Sequence, residues 1–170
     1  VQGKTILPPI GACSAVAVRG RYSATGEPVI ARNFDYLPVV QPLYVMRASR
    51  PDKGFRSLDF TTAPLCGALD GMNDQGLCIT YDYAFATDAA VAAPPISMII
   101  SELLQECSSV VEAYDYFQRR PRWGAGLLML ADASGDIASL EVSNSRCLLR
   151  RPAEGQDYIF HTNCFASREM

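Results

Sequence analysis

A chain of 170 residues with a single histidine, His161, set near its C-terminal end, is poorly equipped for a Ser/His/Asp triad or a two-histidine metal site. A catalytic base, if the protein needs one, must come from elsewhere. The sequence also lacks a basic patch: its net charge is −3, and its arginines cluster only at Arg119-Arg120-Pro121-Arg122 and Arg150-Arg151. That argues against a nucleic-acid partner. No apolar run approaches the roughly 18 residues that span a bilayer, because the longest, Val91 to Leu104, is broken by Pro94, Pro95, Ser97, Ser101 and Glu102. No membrane span is expected. The six cysteines (Cys13, Cys66, Cys78, Cys107, Cys147 and Cys164) have neither paired metal-ligand spacing nor the density of a disulfide scaffold. Most are expected to be buried as small apolar residues, and no metal site is expected.

With 49% hydrophobic and 19% charged residues the composition is that of a folded domain rather than a disordered chain. Residues 1–12, with Pro8-Pro9 and no periodicity, read as an arm or propeptide segment, and 13–170 as one domain. Ala15–Val18 and Pro28–Ala31 read as a hairpin around Ser23–Glu27, and Leu43–Ala48, Phe55–Phe60 and Leu77–Tyr83 as further strands. Apolar residues at helical spacing between Ile96 and Arg119 predict two helices, the second opened by a capping box, Ser109-Val110-Val111-Glu112. Gly126–Ala131, Ile137–Val142, Cys147–Arg150 and Tyr158–Asn163 return to strand patterns. Strands, two helices and strands again predict an α+β architecture.

A site without a histidine base can use an N-terminal nucleophile, whose own α-amino group takes the proton. Cys13 is the candidate: it follows the small Gly11-Ala12 pair and opens the first strand of the domain. A hairpin turn centred near Thr25-Gly26 would lay residues 35–38 beside Cys13, bringing Arg32-Asn33-Phe34-Asp35 to the thiol. A cation there favours the thiolate, and a carboxylate can orient an ammonium or a polar substrate group. Spacing alone equally allows Arg32 and Asp35 to be a solvated ion pair at a strand end.

Four segments in order carry a more specific signal: Cys13-Ser14; Arg32-Asn33-Phe34-Asp35; Gly71-Met72-Asn73-Asp74-Gln75-Gly76-Leu77; and Thr162-Asn163. Together they resemble the penicillin-acyltransferase, choloylglycine-hydrolase and acid ceramidase-like group of N-terminal-nucleophile (Ntn) cysteine hydrolases, which act on linear amides. The resemblance runs from Cys13 to the end of the chain. It implies a four-layer αββα sandwich, incomplete in this chain because the group continues with more strands and a helix past the position of Met170. It further implies Cys13 as nucleophile, its freed α-amine as base, Arg32 and Asp35 in support, and Asn163 at the oxyanion site.

The group often carries a second oxyanion donor on the strand after Gly-Leu. Here that strand reads Cys78-Ile79-Thr80-Tyr81-Asp82-Tyr83, without the usual asparagine, and Tyr83 is preferred over Asp82 because an ionised carboxylate would repel an oxyanion. The implied reaction is two-step acyl transfer on a small-molecule amide through a Cys13 thioester, after cleavage before Cys13, with no metal or organic cofactor. The resemblance leaves room for a second chain that completes the fold and for a homo-oligomer. Three rival readings remain: an Ntn dipeptidase, a catalytically inactive binding protein of the same fold, and a lipoprotein anchored at Cys13. The last is disfavoured because no 7–15-residue apolar signal stretch precedes the cysteine.

Overall fold

The computed structural model describes residues 12–170; the expected arm, with Pro8-Pro9 and Gly11, lies outside the described residues. Ten strands and two helices follow one another: β1 (Ala12–Val18), β2 (Val29–Asp35), β3 (Tyr44–Ser49), β4 (Ser57–Thr62), β5 (Asp70–Asn73), β6 (Cys78–Tyr83), α1 (Ile96–Glu106), α2 (Val110–Arg119), β7 (Gly126–Ala131), β8 (Ile137–Val142), β9 (Cys147–Arg150) and β10 (Tyr158–His161). Strands β3 to β9 form one antiparallel meander in sequence order, with both helices inserted between the neighbouring strands β6 and β7. The second sheet is antiparallel, in the order β10-β1-β2.

Alternation along the strands sorts the residues into layers. Leu128 and Leu130 of β7 and Ala138, Leu140 and Val142 of β8 face the helices, where they meet Ile96, Ile99, Ile100, Leu103, Val110 and Phe117. Met129, Ala131 and Ile137 point the other way, onto Ala15, Ala17 and Ile159 of the three-stranded sheet. Covered on both sides, β7 and β8 are buried at every position, which is why they read as continuous apolar runs. In β1 the alanines of Ala15-Val16-Ala17-Val18 point inward and the valines outward, so the two sheets approach closely near the start of the domain.

The expected hairpin forms, but with a different register. Its loop contains a turn of 3-10 helix at Gly20–Tyr22, and the Ser23 hydroxyl donates to the Glu27 carbonyl at 2.6 Å and to that of Gly20 at 3.2 Å. These bonds centre the loop near Ser23-Ala24 rather than Thr25-Gly26, so Cys13 stands opposite Phe34 and Ala12 opposite Asp35. One strand went unread from the sequence: β5 occupies Asp70–Asn73, which the turn motif masks. The capping box is also modified. Ser109 accepts from the Glu112 amide at 3.3 Å, but the Glu112 carboxylate reaches back to the Ser108 amide and hydroxyl, and Asp132 takes the Val110 amide. All six cysteines are free, and only Cys107 is fully buried; Cys66 and Cys164 are exposed, against expectation, because they lie in loops.

The Gly71–Leu77 segment explains itself as a clasp between sheet and helix. Asn73 is buried; its Nδ2 donates to the carbonyls of Leu104 and Cys107 at the end of α1, and its Oδ1 accepts from the amides of Gln75 and Leu77. Those helix carbonyls have no partner within the helix. A Cβ on Gly71 would stand 2.5 Å from the Leu104 Cδ1, so a larger residue here would force the buried Leu104 side chain of α1 to shift. Asn73→Ala should therefore destabilise the fold by about 2–4 kcal/mol, as expected for orphaning buried polar groups. Denaturant unfolding with an unchanged m-value is the measurement; a loss below about 0.5 kcal/mol would contradict the clasp.

Candidate active site

Cys13 and Arg32 project from β1 and β2 into the space between the sheets, because the register places Cys13, Phe34 and Arg32 on one face. The Arg32 side chain is only 5% exposed and uses four donors. Its Nε donates to Asp82 Oδ1 at 2.8 Å, one terminal nitrogen to Asp70 Oδ2 at 2.9 Å, and the other to the Tyr81 carbonyl at 2.6 Å and to Cys13 Sγ at 3.3 Å. The guanidinium also lies 4.6 Å from the centroid of the Phe34 ring, in cation–π contact. Burial works against the arginine's charge, yet the two carboxylates outweigh it and hold its pKa above the ordinary value.

The balance at Cys13 runs differently. Burial pushes the thiol up, the Arg32 charge pulls it down, and the nearby Asp82 charge pushes it up again; the net direction is upward. Arg32 thus acts in the direction expected from the sequence, but the neutral thiol remains the resting form near neutral pH.

Asn163, two residues beyond the end of β10, is the third residue brought to this point. Its Oδ1 accepts from the Cys13 backbone amide at 2.7 Å, and its Nδ2 donates to the Tyr83 carbonyl at 2.6 Å. An N–H on one side and a carbonyl on the other fix the orientation of the amide, since a flip would set like against like.

The remaining two expected residues stand apart from the thiol. Asp35 alternates onto the opposite face of β2, where Asn33 Nδ2 donates to both its oxygens at 2.8 Å; it is the register partner of Ala12, beside the Ala12–Cys13 bond. Tyr83 contributes its main-chain carbonyl, while its half-exposed ring packs edge-on against Phe85 at 5.0 Å between centroids.

Asp70 and His161, which no motif points to, complete the site together with Asp82, the alternative to Tyr83 as oxyanion donor, which pairs instead with Arg32. Asp82 is fully buried, and its Oδ2 lies 3.3 Å from Nε2 of His161, whose Nδ1 is 2.7 Å from the Ser139 hydroxyl. Burial pushes the Asp70 carboxyl up, partly offset by Arg32. The available signal was electrostatic: an inward-facing arginine needs counter-charges, and Asp70 and Asp82 are the carboxylates of the two neighbouring strands β5 and β6.

Residues 23–170 match the family model of acyl-coenzyme A:6-aminopenicillanic acid acyl-transferase. The chain belongs to this family. The match includes Arg32 and Asn163 and begins after Cys13, whose place is given by the β1–β2 pairing. Among solved structures the chain is similar to an N-acylethanolamine-hydrolyzing acid amidase ortholog from Caenorhabditis elegans, with 14% identity and a TM-score of 0.68 over 89% of this chain and 70% of that one. It also resembles penicillin V acylase from Agrobacterium tumefaciens (18% identity, TM-score 0.52, 91% of this chain and 45% of that one). A mutant of the conjugated bile acid hydrolase from Clostridium perfringens gives 15% identity and a TM-score of 0.56 over 83% of this chain and 51% of that one. The chain thus spans about half the length of the two bacterial proteins. At these identities the likeness is one of fold, and the fold is that of the Ntn hydrolases, represented here by two sheets and one helical layer. The comparison with curated proteins gives no match.

Arg32→Ala should raise the midpoint pH of Cys13 alkylation by iodoacetamide, because among the described residues Arg32 is the charge that favours the thiolate. It should also cost about 3–5 kcal/mol of stability by leaving two carboxylates unpaired. Peptide mass spectrometry separates Cys13 from the exposed Cys66 and Cys164. An unmoved midpoint in folded Arg32→Ala protein would remove Arg32 from the thiol's environment.

Proposed function

We propose that this chain carries an Ntn-type amidase or acyltransferase that cleaves a linear amide through a thioester on Cys13, after the Ala12–Cys13 bond is broken. The observation that supports it most is the pairing of a half-buried thiol, held toward its neutral form, with no side-chain base at hand: among the described residues the side chains that reach Sγ are Arg32 and Asn163, neither of them a base, and the single histidine is turned toward Asp82. An arginine cannot take a proton. The group at hand is the nitrogen of Cys13 itself, held by Asn163 Oδ1 at 2.7 Å. As a peptide amide it has no basic lone pair; as a free α-amine, with an ordinary pKa of about 7.7–8.0, it would.

In this reading the amine takes the Cys13 proton as sulfur attacks the substrate carbonyl. The tetrahedral oxyanion collapses to a thioester, the amine product leaves with that proton, and water or an acceptor amine releases the acyl group. Asn163 keeps a second Nδ2 hydrogen beside the one given to Tyr83, and this is the donor proposed for the oxyanion. The Tyr83 phenol would join it only by swinging away from Phe85. Asp35, opposite Ala12, is proposed to act at the bond that must break and on the ammonium it releases, rather than at the thiol.

The acyl side of the substrate is proposed to be apolar. Phe34, opposite Cys13, stacks on Tyr36 at 5.6 Å and meets Tyr44 and Phe60, and the exposed Met46, Leu58 and Met72 extend that face along β3 to β5. Such a wall suits an aryl or alkyl acyl group better than the charged ends of a dipeptide. The lipoprotein reading loses support on geometry: Cys13 is half-buried within a strand paired to β2, and a lipid on its sulfur would require that strand to leave the sheet.

Cys13→Ala should keep the fold and abolish amide turnover and thiol-probe labelling at this position. Intact-mass measurement of active protein should show a chain beginning at Cys13. Full activity from protein with an unbroken Ala12–Cys13 bond would falsify the mechanism, and wild-type turnover by the alanine variant would sink the nucleophile.

A further inference from the structure

The most heavily buried part of the site is a chain of polar groups beneath Arg32 that the proposed mechanism leaves unused. Asp82 is 0% exposed and His161 4%, on β6 and β10 of the two facing sheets. Asp82 Oδ1 is bonded by Arg32 Nε, whereas Oδ2 has no hydrogen bond of acceptable geometry. The group facing it is His161 Nε2, at 3.3 Å, which has no other partner among the described residues. On the far side of the ring Nδ1 contacts the Ser139 hydroxyl at 2.7 Å.

A bare Nε2 lone pair against a carboxylate oxygen in a dry interior is repulsive, and the arrangement that avoids this puts a hydrogen on Nε2 and has the Ser139 O–H donate to Nδ1. With that tautomer the Nε2–H faces the second oxygen of Asp82 at 3.3 Å, a close charge–dipole contact short of a directed hydrogen bond. Without it, a fully buried carboxylate would be held on one side only, by the arginine it is required to position.

We propose that His161 is a positioning residue for the nucleophile: it fixes Asp82, which fixes the Arg32 guanidinium against Cys13 Sγ. This rests on Cys13 being the nucleophile. Losing the histidine frees one side of Asp82 and with it the Arg32 guanidinium that Asp82 holds, and loosening Arg32, which is in contact with sulfur at 3.3 Å, disfavours the thiolate.

The test compares His161→Leu with His161→Gln, whose terminal amide N–H can replace Nε2–H toward Asp82. In folded His161→Leu protein, Cys13 alkylation at neutral pH should slow about tenfold, the low end of one charge-assisted hydrogen bond, and kcat should fall with KM little changed. His161→Gln should return both to within about threefold of wild type. Unchanged or faster alkylation in the leucine variant overturns the proposal, as does a glutamine variant no better than leucine. Should the leucine variant not fold, the single imidazole of the wild-type protein decides: its 15N spectrum must show hydrogen on Nε2 and must shift on Asp82→Asn, and an Nδ1–H tautomer overturns the proposal. Alkylation is read whether or not the chain turns over amides. Failure of the amidase reading therefore appears as absent turnover in wild-type protein cleaved before Cys13, distinct from a Cys13 reactivity indifferent to His161.

Discussion

A buried guanidinium between two carboxylates is the constraint on which the rest of this structure depends. Arg32 ties β2 to β5 and β6 across the sheets and reaches Cys13 on β1 with its last donor. Removing a cation and two carboxylates from water is costly unless each finds good geometry. Four directed bonds from one planar group meet that demand in a way a lysine ammonium cannot. The same requirement pins the register: a one-residue slip of β2 would turn Arg32 outward and leave Asp82 buried alone. Small residues follow from it as well, since Ala15 and Ala17 let the sheets come close enough for a side chain on one to bond the other.

The elements were largely legible in the sequence because periodicity is local. Strands on each side of two amphipathic helices gave the α+β class, and the apolar runs of β7 and β8 reflect cover on both faces. Registers and partners are not local. The hairpin centre depended on hydroxyl bonds from Ser23 that no pattern announces, and it decided that Asp35 faces away from the thiol while Phe34 faces it. The Gly71–Leu77 motif was legible as a motif, but its physical content, an asparagine capping α1 from a turn some thirty residues away, required the fold. In the sequence Asp82 reads only as a poor oxyanion donor beside Tyr83, and a single histidine makes neither a triad nor a metal site. Their importance lies in facing each other across two sheets.

The arrangement around Cys13 also shows why a thiol can lie beside an arginine and still have its pKa raised. Proximity to a cation lowers a thiol's pKa only by the charge left over after that cation has satisfied its own neighbours. Arg32 is shared between Asp70 and Asp82, and the second of these opposes its effect on sulfur. The site is therefore organised to hold and aim the thiol more than to ionise it in advance. In the proposed mechanism ionisation is left to a base next to sulfur, and the atom already held there by Asn163 is the backbone nitrogen of Cys13. A single bond, Ala12–Cys13, separates that nitrogen from basicity. The residue that orients it is the same one whose other hydrogen can meet an oxyanion, so breaking this bond would supply the base without moving any group that the fold has already placed.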